Sequence, residues 1–188
     1  YMALPEDLDK LKNLRFLNAM RNDISLWDEA IFKLDSIEHI NLKLNALQSI
    51  PPKIKHLSTL KVLNLESNKL QYLPKEISGL ENLETLRLAL NSLTTVPAEI
   101  GELEELRFLG LQNNQISYLP KSFSGLQNLR NLDLSHNQLY ELDASWITSA
   151  ALEDLKLTDN FLRKLPESIG NLKNLKTLIL SDNKLERL

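Results

Sequence analysis

Asparagine recurs along this chain at a fixed spacing, and its side-chain amide can both donate and accept hydrogen bonds. Eight asparagines stand 23 residues apart without an interruption, at Asn22, Asn45, Asn68, Asn91, Asn114, Asn137, Asn160 and Asn183. We expect these amides to form a structural ladder that pairs with backbone groups in turns away from water. One unpaired buried group in such a turn would cost about 1–3 kcal/mol. The alternative, a track of amides that binds a ligand, is the less favoured interpretation.

Residue types that carry catalysis or bind metals are scarce or scattered. Cysteine is absent, which excludes disulfides, thiol catalysis and thiolate metal sites. The three histidines, His39, His56 and His136, stand at unrelated positions of the 23-residue period, so they cannot form one metal site. The acidic residues at 102–105 are typical of a solvated face, and the glycines form no phosphate-binding loop. We therefore predict no enzyme activity, no cofactor and no metal.

The segments that must position the asparagines are 23-residue repeats. Each repeat begins at one of the residues Leu14, Ile37, Leu60, Leu83, Leu106, Leu129, Leu152 and Leu175. The third repeat shows the whole unit, Leu60-x-x-Leu63-x-Leu65-x-x-Asn68-x-Leu70-x-x-Leu73-Pro74-x-x-Ile77-x-x-Leu80. Internal similarity at a fixed period of this length is typical of a solenoid.

Two spacings of apolar residues follow one another within each repeat. Leu63-x-Leu65 alternates apolar and polar residues, which predicts a strand with one buried face, and stacked repeats predict a parallel sheet. Pro74-x-x-Ile77-x-x-Leu80 has a spacing of three, which predicts a short helical or 3₁₀ segment begun by proline on the opposite side. Asp28 and Asp143 replace this proline in two repeats. Because aspartate can cap backbone N–H groups, we expect better-formed helices there.

With these motifs the chain resembles the leucine-rich-repeat family over residues 4–188. The Leu-Pro-x-x-Ile-x-x-Leu half, as at Leu73, resembles the 23-residue subclass, which includes Ras-group scaffolds, Scribble- and Erbin-like proteins, Roco GTPase repeat domains and bacterial secreted proteins. The resemblance implies an α/β solenoid, a horseshoe with a parallel concave β-sheet and short helical or 3₁₀ segments on the convex side, that binds proteins. We expect residues 1–188 to form a single domain of about eight repeats from a longer protein, because no polar capping helix is visible at either end.

Strand alternation predicts the side chains of the concave face, where a protein partner would bind. The predicted surface consists of Phe16, Asn18, Met20, His39, Asn41, Lys43, Leu44, Val62, Asn64, Glu66, Arg87, Leu90 and Phe108. Apolar and aromatic anchors in a polar surround are typical of protein-binding patches, and Phe16 and Phe108 are the strongest candidates. Scattered exposed apolar residues without a function are the alternative. Gly110 leaves a gap beside Phe108, either a pocket for a partner side chain or a simple loss of side chain.

Charge is uneven along the same face. In the first four repeats Arg21, Lys43 and Arg87 outnumber Glu66, whereas in the last four Lys156 stands against the aspartates Asp133, Asp154, Asp159 and Asp182. Such a gradient could steer a partner of opposite polarity into register. At a neighbouring position the charges Arg15, Glu38, Lys61, Glu84 and Arg107 alternate in sign, which predicts a modest ladder of cross-strand ion pairs.

The sixth repeat departs from the pattern. Trp146 replaces the usual isoleucine and Ser149 the usual leucine. We expect the indole to fill the volume that serine leaves, and a partly exposed Trp146 in a second, convex contact site is the alternative.

Bulk properties narrow the class of partner and the compartment. The net charge of −3 offers no attraction to nucleic acid or to an anionic membrane, and no 18-residue apolar run predicts a membrane span. The absence of cysteine and of Asn-x-Ser/Thr sequons favours the cytoplasm, with a bacterial secreted or cell-surface protein as the alternative. We predict an interaction module or signalling scaffold that binds another protein. The alternatives are a bacterial effector or adhesin that binds a host protein, and a regulatory segment of a Roco-type GTPase–kinase. The oligomeric state does not follow from the sequence.

Overall fold

The computed structural model describes residues 6–143 and 151–186. Within them, eight strands form one parallel sheet in chain order: β1 (Phe16–Asn18), β2 (His39–Asn41), β3 (Val62–Asn64), β4 (Thr85–Arg87), β5 (Phe108–Gly110), β6 (Asn131–Asp133), β7 (Asp154–Lys156) and β8 (Thr177–Ile179). The 3₁₀ segments of the described residues are Glu6–Lys10, Glu29–Lys33, Pro52–His56, Lys75–Gly79, Ala98–Glu102, Lys121–Gly125 and Glu167–Asn171. The predicted solenoid with a parallel sheet is confirmed, and its second side consists of short 3₁₀ segments.

The strands pair without any shift in register. Leu63 of β3 lies opposite Leu86 of β4, which lies opposite Leu109 of β5. The constant 23-residue period explains this alignment, because each repeat returns the chain to the same height on the sheet. Side chains at one position of the repeat therefore form a row across the molecule.

The interior consists of rows of leucine and isoleucine. The strand residues Leu63, Leu86 and Leu109 and the 3₁₀ residues Ile77 and Ile100 are all fully buried. Each such side chain contributes roughly 1.5–3 kcal/mol by its removal from water. Because these side chains are covered by the repeats on either side, the fold is stabilised by contacts between neighbouring repeats.

Proline stands directly before five of the 3₁₀ segments, with φ between −73° and −67°. Its carbonyl accepts the first hydrogen bond, as from Ile77 N to Pro74 O at 3.1 Å. Asp28 caps its segment instead, because its Oδ1 accepts a hydrogen bond from Ala30 N at 2.8 Å. That segment is nonetheless a 3₁₀ segment of five residues like the others, so the expected better-formed helix is absent there. The 23-residue period leaves room for little more than one turn, whatever the cap.

The corresponding expectation for Asp143 falls on the segment that follows it, at 144–150. This segment and the expectations for Trp146 and Ser149 lie outside the described residues.

Candidate functional site

Apolar side chains project from the first repeats of the sheet, as the alternation of the strands requires. Phe16, Met20, Leu44 and Leu90 are 57%, 43%, 42% and 54% exposed. The edge of the Phe16 ring meets the half-buried ring of His39, with centroids 5.8 Å apart and planes at 84°. These four side chains are therefore largely accessible to solvent.

One residue of every repeat has a left-handed backbone, directly before the ladder asparagine. These residues have φ between 52° and 60°, and they are Arg21, Leu44, Ser67, Leu90, Asn113, His136, Asp159 and Asp182. Asparagine and aspartate tolerate this conformation, whereas most residues with a Cβ carry a penalty of roughly 1–2 kcal/mol. Leucine is doubly unfavourable at Leu44 and Leu90, because the side chain is exposed and the backbone is strained. The same backbone recurs in all eight repeats, so the cost at these two positions comes from the choice of leucine rather than of a residue that tolerates it.

Leu44 and Leu90 lie on either side of Ser67 in the row of left-handed residues, and we refer to these three residues as the leucine notch. Backbone hydrogen bonds between adjacent repeats extend as far as this row. Leu44 N donates to Glu66 O at 2.9 Å, and Ser67 N donates to Ala89 O at 2.8 Å. Adjacent repeats in such a stack are about 4.8 Å apart, so the two leucine backbones lie roughly 10 Å apart with the short serine between them.

A chain of charged and aromatic groups crosses four strands beside this notch. Lys43 Nζ lies 2.6 Å from Glu66 Oε2, and Arg87 Nη1 lies 3.7 Å from Glu66 Oε1. The Arg87 guanidinium lies 4.4 Å above the centroid of the Phe108 ring. Glu66 is buried, with only 9% of the residue exposed, so it organises the two cations rather than facing a partner. Phe108 is half-buried beneath Arg87, which makes it a support for that side chain.

The predicted binding residues Asn18, Asn41 and Asn64 occupy the same position in three repeats. Each side-chain Oδ1 accepts a hydrogen bond from the backbone N–H two residues further on, at 3.1 Å. This bond holds the bend at the end of the strand. The Nδ2 groups of these asparagines are the part of the amide that can face a partner. Val62, two residues before Asn64 on β3, is half-buried.

A hollow of about 380 Å³ opens in the second half of the concave face. Its lining consists of Phe108, Gln112, Asn131, Leu132, Asp133, Asp154, Lys156 and Thr177. Gly110 lies at its edge, and a Cβ at that position would be 3.1 Å from both the Phe108 ring and Gln112 Oε1. Those two side chains therefore lean over the glycine, and the open space lies farther along the sheet, over β6 and β7.

The asparagine column follows one hydrogen-bonding scheme through the interior turns. Asn68 Nδ2 donates to Leu65 O of its own repeat at 3.1 Å and to Leu42 O of the preceding repeat at 3.0 Å. Its Oδ1 accepts from Leu47 N at 3.0 Å. The same pattern recurs at Asn114 and Asn160. Each of these three amides thus joins two repeats and pairs with backbone groups that the strands leave without partners.

Two ion-pair clusters lie along the row of alternating charge. Glu38 sits between Arg15 and Lys61, at 3.6 Å and 2.9 Å, and Glu153 sits between Arg130 and Lys176 in the same way. The Lys61 ammonium, which donates a hydrogen bond to Glu38, lowers the pKa of that carboxyl below its ordinary value. These pairs are exposed and contribute little to stability.

The sequence analysis missed a set of exposed aromatic side chains on the flank of the solenoid. Tyr72, Tyr118, Tyr140 and Phe161 lie after the ladder asparagine of their repeats and are about half exposed. Phe161 carries Lys184 above its ring, 4.7 Å from the centroid. A count of aromatic residues in the stretch between the asparagine and the proline would have found them.

Two further properties concern metal binding and membrane spans. No group of three or more histidine, aspartate or glutamate side chains that could hold a metal ion occurs in residues 6–143 and 151–186. Among the same residues, no helix has the length and apolarity needed to cross a membrane.

Comparisons with known proteins agree with this geometry. Family models described as leucine-rich repeat match residues 81–139, 127–185 and 59–80. The chain therefore belongs to the leucine-rich-repeat family, a class whose domains generally bind other proteins. A search of curated protein sequences gives no match.

Three similar solved structures share this fold. A leucine-rich-repeat protein of Leptospira interrogans is 34% identical with a TM-score of 0.83, and the match covers 99% of this chain and 53% of that one. The functional domain of InlJ from Listeria monocytogenes, which includes a cysteine ladder, is 27% identical with a TM-score of 0.83 over 96% of this chain and 37% of that one. The ectodomain of the plant membrane receptor kinase GASSHO1/SCHENGEN3 from Arabidopsis thaliana, in complex with CASPARIAN STRIP INTEGRITY FACTOR 2, is 31% identical with a TM-score of 0.80 over 96% of this chain and 26% of that one. The chain thus spans about half or less of each of these structures.

Proposed function

We propose that this domain is an interaction scaffold that binds a protein partner on the concave face, in the first five repeats. The observation that carries the proposal is the pair Leu44 and Leu90, which are exposed and have a left-handed backbone. The turn imposes this backbone on every repeat, so the unfavourable feature is the choice of leucine there, and residues that are unfavourable for the fold are found preferentially at functional sites. A partner that buries the two leucines would gain the free energy of removing their side chains from water.

The surroundings of the two leucines support a protein partner. Phe16 and Met20 extend the apolar surface toward β1, and Lys43 and Arg87 provide cations that Glu66 holds in place. Apolar anchors among oriented charges are typical of protein interfaces, in which a few central side chains carry most of the affinity. The receptor-kinase ectodomain bound to its factor is a precedent for recognition by such a domain.

The test is replacement of both leucines by asparagine, Leu44→Asn with Leu90→Asn. Asparagine removes the apolar side chain but suits the left-handed backbone, so the variant should unfold at a higher temperature than the wild type while binding is lost. Lysate of the source organism is passed over both immobilised proteins, and captured proteins are identified by mass spectrometry. Partners captured by the wild type should be reduced at least roughly ten-fold by the variant, which corresponds to a loss of about 1.4 kcal/mol.

Ser67→Asn is the matched control, because it makes the same conformational gain in the intervening repeat without removing an apolar side chain. The control should gain stability and keep the captured proteins. Equal capture by the wild type and the double-leucine variant would show that Leu44 and Leu90 are not part of the interface.

A second candidate is a bacterial effector or surface adhesin that acts on a host protein. The similarity to the Leptospira and Listeria structures favours it. A cytoplasmic scaffold is supported instead by the absence of cysteine. Fractionation of the source organism, with antibody detection in cytosol, envelope and medium, distinguishes the two. A regulatory segment of a Roco-type enzyme is a third possibility, and sequencing of the full gene for GTPase and kinase domains tests it.

A further inference from the structure

The hollow over β6 and β7 differs in chemistry from the leucine notch. Asn131 and Asp133 of β6 lie opposite Asp154 and Lys156 of β7, so the two carboxylates occupy one diagonal of a square of side chains. From the strand spacing and the rise per residue, the two aspartate backbones are roughly 8 Å apart. Phe108 forms one wall, and the buried Leu132 forms the floor.

Each carboxylate of the hollow has one oxygen that accepts no hydrogen bond from the described residues. Asp133 Oδ1 accepts from Ser135 N at 3.0 Å, but its Oδ2 is 4.0 Å from Lys156 Nζ, beyond hydrogen-bonding distance. Asp154 Oδ2 accepts from Asn131 Nδ2, and Oδ1 of the same carboxylate has no donor among the described residues. Gln112 Oε1, in the same lining, is buried without a hydrogen-bond partner. Buried acceptors normally have a donor, so Gln112 Oε1 is incomplete, whereas the partly exposed carboxylates can accept from water or from a partner.

The charge around the hollow favours one kind of partner side chain. Its lining contains two carboxylates and one ammonium. Outside the lining, Asp159, which contacts His136, and Asp182 add negative charge after β7 and β8. An acidic side chain would meet a single cation, and an aliphatic one would leave the acceptors without donors. A guanidinium or ammonium group supplies donors to three acceptors and an opposite charge. The volume of about 380 Å³ is sufficient for one long side chain.

We propose that this hollow binds an arginine or lysine side chain of an extended segment of the protein partner. The proposal rests on the proposed function, because the same partner would contact the leucine notch. The segment crosses the strands, with its basic residue over β6 and β7 and its apolar residue over β2 to β4. A peptide of roughly twelve residues spans about 40 Å, enough to cross all eight strands at about 4.8 Å each.

The experiment uses a random library of peptides of roughly this length displayed on phage, selected against the whole chain. Affinities of selected peptides are measured by fluorescence polarisation for the wild type and for Asp133→Asn with Asp154→Asn. Both replacements have a precedent in the chain. Asparagine occupies the position of Asp133 in the first three repeats, where its Oδ1 accepts the same backbone hydrogen bond. Asn131 occupies the position of Asp154 in the preceding repeat. The control is Asp159→Asn with Asp182→Asn, which removes two charges from the same face outside the hollow.

Selected peptides should share an arginine or lysine, and the Asp133/Asp154 variant should weaken their binding at least roughly ten-fold. The control should weaken it less than roughly three-fold. Replacement of the basic residue of the peptide by norleucine should cause the same loss in the wild type and no further loss in the variant.

Equal losses in variant and control would show a long-range charge effect and overturn the proposal. Peptides without a basic residue, or peptides that lose binding to the Leu44/Leu90 variant but not to the Asp133/Asp154 variant, would refute the hollow and leave the proposed function intact. If no peptide is selected and the leucine variant also keeps the captured proteins, the concave face is not the interface and both proposals fall.

Discussion

The ladder asparagines join neighbouring repeats by hydrogen bonds that water cannot replace in the interior. Asn137 Nδ2 donates to Leu134 O and Leu111 O at 3.1 Å and 3.0 Å, and its Oδ1 accepts from Ile116 N at 3.0 Å. Asn137 is buried, whereas Asn22 is exposed and donates to Ala19 O and Met20 O of its own repeat. The same residue type at the same position therefore contributes differently to the free energy of unfolding in different repeats.

Asn137→Leu should lower the free energy of unfolding by about 3 kcal/mol, because it leaves two carbonyls and one N–H buried without partners. Asn22→Leu should lower it by less than about 1 kcal/mol, since water can replace the amide there. Urea unfolding followed by circular dichroism measures both. Similar losses for the two variants, or no loss at Asn137, would contradict the role of the ladder.

The positions of the ladder and of the concave side chains follow from the period, but their conformations do not. Leu44 and Leu90 were predicted as exposed apolar residues, yet nothing in their type indicates the left-handed backbone that the structure shows. The conformation is set by the turn that the ladder asparagine closes, and it holds whichever residue stands before it. Likewise, the burial of Glu66 between Lys43 and Arg87 depends on side chains that reach it from neighbouring strands, and residue spacing along the chain does not predict these contacts.

At the scale of elements, glycine sets how closely the 3₁₀ segments can approach. A Cβ at Gly125 would lie 2.2 Å from Gly101 O, and one at Gly101 would lie 2.1 Å from Ser122 O. A Cβ at Gly170 would meet nothing within 4 Å. None of these glycines has a positive φ, so alanine is permitted by the backbone and any penalty is steric.

Gly125→Ala should destabilise the protein by about 3 kcal/mol, because backbone rather than a flexible side chain must move. Gly170→Ala should be neutral or stabilise by up to about 1 kcal/mol, since it reduces the entropy of the unfolded chain. Differential scanning calorimetry of the two variants provides the comparison. A neutral Gly125→Ala would mean that the segments can separate without loss.

The type of each element was predictable because the spacing of apolar residues changes from two to three within every repeat. The expectation for Asp28 was wrong in a revealing way. Its carboxylate accepts the predicted backbone N–H, but the segment stays as short as those that begin with proline. Capping acts on the first turn only, whereas length is set by the distance that the chain must cover before the next strand. Local propensity therefore sets the start of the element, and the period of the solenoid sets its end.

For the whole molecule, stability depends on whether a repeat is covered on both sides. Leu109 of β5 and Leu178 of β8 occupy the same inward position of their strands, yet Leu109 is fully buried and Leu178 is 37% exposed in this chain. In a linear stack, contacts between nearest neighbours supply most of the stabilisation. Identical residues therefore contribute differently according to their place in the stack.

Leu109→Ala should lower the free energy of unfolding by about 3–4 kcal/mol, since the cavity would lie between repeats that cannot collapse around it. Leu178→Ala should lower it by about 1 kcal/mol, because that side chain keeps part of its contact with water in the folded state. Chemical denaturation measures the two losses, and amide hydrogen exchange should show faster opening near β8 than near β5 in the unmodified chain. Equal losses and equal exchange would mean that the domain unfolds as one block, and the energetics would then be those of a globular core. Unequal losses would show that the sheet is more rigid at β5 than at β8. Because β5 lies between the leucine notch and the hollow, a partner that contacts both would then meet a preformed surface there.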